Sequence, residues 1–194
     1  MEVERPQLPT ELLSGWQETE ATVDQPFDAR VVSVYTHTVV FEDGDLARRL
    51  RETAGVDGQW RFVVAARLTL RPQTGPSRPL TRLVADRAHA NFADRLRERG
   101  LEHVRERGTT RREVAGTTAR VGRFEAVYDP GPVSVRTTAE VAVRPTEEAY
   151  LLAGGAYPTA LRDSTDSETA TAVTAALDSD RFESELAEFV AAVE

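Results

Sequence analysis

The stretch from Trp60 to Leu70 constrains this chain more than any other. Its even positions are Trp60, Phe62, Val64, Ala66, Leu68 and Leu70, while Arg61, Arg67, Thr69 and Arg71 fall on odd ones. A period of two belongs to a strand with one face strongly buried, and such a face needs a second layer against it. The sequence supplies that layer at helical spacing. Leu80, Val84, Ala88, Phe92 and Leu96, widened by Leu83 and Ala85, mark one side of a helix running to about Arg99 and stopped by Gly100.

The remaining elements follow from the same two periodicities. Residues 29 to 41 hold Val31, Val32, Val34, Tyr35, Val39, Val40 and Phe41 and read as a strand. A short helix follows, with Leu46, Leu50 and Ala54 on one side, Asp43 or Asp45 as N-cap and Gly55 as its left-handed stop. Pro72, Gly75, Pro76 and Pro79 predict a loop inside one domain. After Leu101 to Arg107 and a break at Gly108, a hairpin is predicted from Thr109 to Val114 and Thr117 to Tyr128 around Ala115-Gly116. Val133, Val135, Ala139, Val141 and Val143 alternate with polar residues as another strand, and Tyr150 to Ala153 as a last one, with Gly154-Gly155 read as its exit turn. Thr165 and Asp180 are candidate caps for two closing helices, the second with an apolar face of Phe182, Leu186, Phe189, Val190 and Val193. Residues 1–194 are expected to form a single globular domain of α+β class, a central antiparallel sheet flanked by helices.

Composition narrows the chemistry. Cysteine is absent, which removes disulfides, thiolate nucleophiles and thiolate metal sites. All 24 basic residues are arginine, so no phosphate-loop lysine and no Schiff base can form. Against them stand 32 carboxylates, a net charge of -8. Carboxylate excess, no lysine and abundant Ala, Val, Thr and Arg resemble proteins of extreme halophilic archaea, and a GC-rich genome that replaces lysine codons gives the same arginine bias. No apolar stretch is long enough to span a bilayer, the longest lying near Phe62-Val-Val-Ala-Ala66, and the cytoplasm is the expected location.

No motif assembles a catalytic centre. The three histidines, His37, His89 and His103, lack metal-binding spacing, and the pair Asp86 and His89 reads as a surface hydrogen bond. Asp163-Ser-Thr-Asp-Ser-Glu168 lacks the central glycine and ligand periodicity of a calcium loop and reads as helix capping. No catalytic residue, cofactor or metal is assigned.

One charge asymmetry stands out. Between Arg78 and Arg123 twelve arginines face six acids, whereas the rest of the chain carries twelve arginines and 26 acids. Arg105, Arg107, Arg111 and Arg112 form the candidate interaction patch, for an acidic partner or nucleic acid. The interleaved Glu98, Glu102 and Glu106 favour a solvated helix with internal ion pairs, and aromatics for base stacking are missing nearby.

Arg111-Arg-Glu-Val-Ala-Gly116 followed by Arg120 to Tyr128 resembles the middle hairpin of PsbP-like proteins. Ala139 to Ala153, Pro158 and Phe182 to Val193 resemble that family's closing strands and helix. The resemblance implies an α/β/α sandwich and a small accessory protein that binds other proteins. The expected function is therefore non-enzymatic protein binding or assembly, with a nucleic-acid-binding module using residues 78–123 as the alternative.

Overall fold

The alternation at Trp60 to Leu70 becomes a strand buried on both faces rather than one. The computed structural model describes residues 3–28, 33–72 and 75–194. In chain order it has a 3-10 turn at Thr10–Leu13, β1 (Trp16–Asp28), β2 (Ser33–Asp43), α1 (Gly44–Ala54), β3 (Phe62–Arg71), α2 (Arg78–Glu98) and β4 (Leu101–Val114). There follow β5 (Thr117–Tyr128), β6 (Val133–Pro145), β7 (Tyr150–Ser164), α3 (Ser167–Ala176) and α4 (Ser179–Ala192). The seven strands make one open sheet in the order β1-β2-β3-β7-β6-β5-β4, and every neighbouring pair is antiparallel. This is an α+β architecture with β1 and β4 as its edges.

The central strand explains the layering. Phe62, Val64, Ala66, Leu68 and Leu70 pack in the clusters that contain Val84, Ala85, Ala88, Phe92 and Leu96 of α2. Val63 and Ala65 pack with Leu46 and Leu50 of α1, Val173 of α3 and Phe182, Leu186 and Phe189 of α4. Successive strand residues point to opposite sides, so helices cover both faces of the sheet. Leu83 does not widen the α2 stripe, being 55% exposed.

Local signals place most boundaries. Asp43 accepts a hydrogen bond from the Leu46 amide at 2.9 Å and caps α1, and Gly55 closes it at φ +66°. Pro79 sits inside the first turn of α2, where no amide is required, so the proline-rich loop ends earlier than its composition predicts. Asp166 and Asp178, not Thr165 and Asp180, cap α3 and α4 by accepting from the Thr169 and Arg181 amides. Within the strand predicted over 29 to 41, residues 29–32, with Val31 and Val32, lie outside the described residues, as do Gln73 and Thr74 of the loop.

Three strands differ from expectation. β1 shows no burial pattern in the sequence, because as an edge strand it needs little apolar surface and its Val23 is 52% exposed. β4 runs unbroken through Gly108, which takes a φ of +147° where the pairing with β5 shifts register. β7 continues for eleven residues past Ala153 to Ser164, so Gly154-Gly155 is not a turn but the middle of an inner strand. A Cβ on Gly154 would enter the Glu140 carbonyl oxygen and lie 2.8 Å from Val141 Cα, and one on Gly155 would enter the Phe62 carbonyl oxygen. Both glycines let β7 approach its two neighbours closely.

Gly154→Ala is therefore expected to cost about 3 kcal/mol through forced strand separation. The same change at Gly75, where an added Cβ meets nothing within 4 Å, is the control. Urea unfolding monitored by Trp fluorescence distinguishes the two, and equal midpoints would contradict the close approach.

Candidate functional site

The four arginines singled out by charge, Arg105, Arg107, Arg111 and Arg112, all lie on β4, an exposed edge strand: Arg111 and Arg112 fall in the predicted hairpin strand, whereas Arg105 and Arg107 lie on strand and not on the solvated helix read there. The helical reading rested on Glu/Arg spacing, which an exposed strand with polar residues on both sides satisfies equally. From Glu102 to Glu113 no residue of β4 is buried. Its register with β5 slips once between Glu102 and Arg105 and again between Glu106 and Gly108, then stays one-to-one from Gly108↔Arg123 to Val114↔Thr117.

The structure divides the four. Arg107 bonds Glu125 at 2.6 Å and Arg112 bonds Glu140 at 2.5 Å. The hydrogen bond from Arg107 outweighs the raising effect of burial and, with the Arg107 charge, holds the Glu125 carboxyl below its ordinary range. Arg105 also stands opposite Glu125, which Arg107 already occupies. Arg111 stands opposite Arg120, a like charge that turns instead to Asp86 at 3.4 Å. Among the described residues Arg105 and Arg111 have no ion pair.

At the other edge the charges are mostly satisfied. Glu18 bonds Arg5 at 2.5 Å, Arg95 bonds Glu20 at 2.8 Å, and Arg99 bridges Glu20 at 3.6 Å and Glu42 at 2.8 Å. Glu20, Glu42, Arg95 and Arg99 line an open cleft of about 370 Å³ with Thr19, Gln59 and Glu98. Burial pushes the Glu20 carboxyl up, but the hydrogen bond and charge of Arg95, joined by Arg99, outweigh it and leave the pKa lowered. That direction suits an ion pair and not a general acid.

Two buried polar residues were not foreseen. His89 does not make a surface bond with Asp86; its ring lies against Gly122 between α2 and β5, 3% exposed, and its Nε2 has no partner. Burial lowers its pKa, against the raising influence of the Arg120 backbone, Glu106 and Asp86. Arg61, an odd position expected to face water, is 3% exposed. Its guanidinium lies between the Trp16 and Phe182 rings, 4.8 and 4.5 Å from their centroids, and bonds Glu185 at 2.6 Å and Asp43 at 3.2 Å. The aromatic flanks Trp60 and Phe62 were the available signal, since a charge within so apolar a run is either exposed or paired. Among the described residues no three His, Asp or Glu are placed to share a metal ion, and no helix is long and apolar enough to cross a membrane.

An open, seven-stranded antiparallel sheet with helices on both faces and one arginine-bearing edge defines the class of protein. The chain belongs to the family described as a domain of unknown function, DUF6517, whose model matches residues 5–194. Neither the curated proteins nor the solved structures contain a match to it.

Removing Arg61 leaves Asp43 and Glu185 without their shared cation, and Arg61→Ala is expected to cost about 3 kcal/mol. Arg61→Lys, which keeps charge but not the planar fork, is expected to lose roughly half as much; equal losses in urea titrations would contradict the role given to fork geometry.

His89 is neutral in the fold and protonates more readily once unfolded, since its folded pKa is lowered from 6.5. Its contribution is thus neutral at higher pH and destabilising as pH falls below that unfolded value. Between pH 7.5 and 5.5 the native chain is expected to lose more stability than His89→Gln, read as the difference between their urea midpoints; parallel curves would remove His89 as the cause.

Proposed function

We propose that this chain is a non-enzymatic accessory protein that binds or helps assemble another protein, working in the cytoplasm of a salt-adapted cell. The observation that carries the reading is the uncovered β4 edge, where no residue from Glu102 to Glu113 is buried, only Val104 is partly covered, and two arginines have no ion pair among the described residues. Exposed strand edges attract further strands, and soluble proteins keep them short, covered or irregular unless they are used. The PsbP-like resemblance supports the same role, because helices on both faces of an antiparallel sheet suit that sandwich. The carboxylate excess supports the salt adaptation.

A nucleic-acid-binding module remains the second reading, favoured by the same unpaired Arg105 and Arg111. It is weakened by Glu102, Glu106 and Glu113 on the same strand and by the loss of phosphate affinity in salt. Tagged protein purified from a lysate held at high KCl is expected to retain one stoichiometric protein partner. Recovery of none, together with a duplex gel shift abolished by charge reversal at Arg105, Arg107, Arg111 and Arg112, would replace the first reading by the second.

A further inference from the structure

We infer that the Gly108–Val114 half of β4 accepts an extended acidic segment of a partner protein as an eighth strand. This deepens the protein-binding reading and rests on it. The two halves of the edge differ in the way that matters for strand addition. Two register shifts interrupt the Leu101–Gly108 half, where His103 takes a φ of +53°, and such bulges blunt an edge. From Gly108 to Val114 the register is uninterrupted, and only Val114 at its end is buried, so this half presents a regular row of backbone groups to solvent.

Charge selects the occupant. Like charges directly opposite on neighbouring strands are unfavourable, yet Arg111 faces Arg120 across β4 and β5. Arg120 is drawn to Asp86 of α2, which leaves Arg111 as surplus positive charge. Arg105 is surplus for the other reason: its facing carboxylate, Glu125, is taken by Arg107. On β5 the positions opposite Arg105 and Arg111 are Glu125 and Arg120, an odd separation, so the two surplus charges lie on opposite faces of the sheet. A partner strand paired over Gly108–Val114 meets Arg111 directly, and its continuation past the Glu106/Gly108 shift, with a carboxylate on the other face, reaches Arg105.

The same geometry disfavours the other occupants. A nucleic-acid backbone running over one surface meets Arg105 or Arg111 but not both. A second copy offers β1, whose Glu18 and Glu20 are already bound to Arg5, Arg95 and Arg99, which among the described side chains leaves Asp24 as a lone spare charge where the edge presents two surplus arginines. β4 against β4 brings arginine-rich strands together.

The test is hydrogen exchange read by mass spectrometry on the full chain in high KCl. The probe is a ten-residue Val/Thr peptide carrying two Glu five positions apart. Its presence is expected to slow exchange by about tenfold over residues 109–113, whereas the Gln analogue, or the acidic peptide added to R105E/R111E, gives no slowing. Absence of slowing by the acidic peptide, stronger slowing of the same segment by a DNA duplex, or protection of the free chain that grows with its concentration would each overturn the inference. The lysate capture separates this from the parent reading: a partner held equally by native chain and R105E/R111E sinks the β4 edge but not protein binding, and no partner on either sinks both.

Discussion

A guanidinium almost sealed from water can persist only where its charge is answered on every side, and Arg61 shows which parts of the chain do so. Asp43 ends β2 and caps α1, Glu185 and Phe182 belong to α4, and Trp16 opens β1. One side chain at the start of β3 thereby ties the first edge strand, the first helix and the last helix to the centre of the sheet. Asp43 has two tasks, accepting from the Leu46 amide and from Arg61, so the position of α1 and the neutralisation of Arg61 are one constraint. A buried charge network contributes little net stability over apolar packing, but removing one member is costly, and this gives it the character of a registration device.

The interior of the sheet is organised by close approach. His89 lies flat on Gly122, and β7 comes near β6 and β3 only because Gly154 and Gly155 carry no side chains. With these contacts the sheet stays tight enough for α2 to bridge β3, β6 and β5 from one face. Leucine, phenylalanine and valine fill the rest.

These contacts also mark where sequence reasoning stops. β3, α1, α2, β5, β6 and α4 were legible because each has one apolar period and one cap or breaker, such as Asp43 and Gly55 around α1. Gly154-Gly155 misled because glycine favours a turn by local propensity, whereas its use here is set by backbones distant in the chain. β1 hid for the opposite reason, since an edge strand with polar residues has no burial pattern to display. The candidate patch was found by charge alone, but charge cannot tell helix from strand. It also could not show that Arg107 and Arg112 are answered by Glu125 and Glu140 while Arg105 and Arg111 are not.

That division bears on what an edge of this kind can hold in salt. At about 1 M ionic strength charges farther apart than about 3 Å are screened, so a surface arginine attracts nothing at a distance and only adds to a contact made by other forces. Backbone hydrogen bonds between strands are such a contact, being short-range and indifferent to counterion release. If the carboxylate excess reflects a salt-rich cell, as proposed, strand addition at Gly108–Val114 keeps its strength there while phosphate binding loses its own. Arg105 and Arg111 then act as selectors of register and face, deciding which extended segment fits rather than supplying the affinity that holds it.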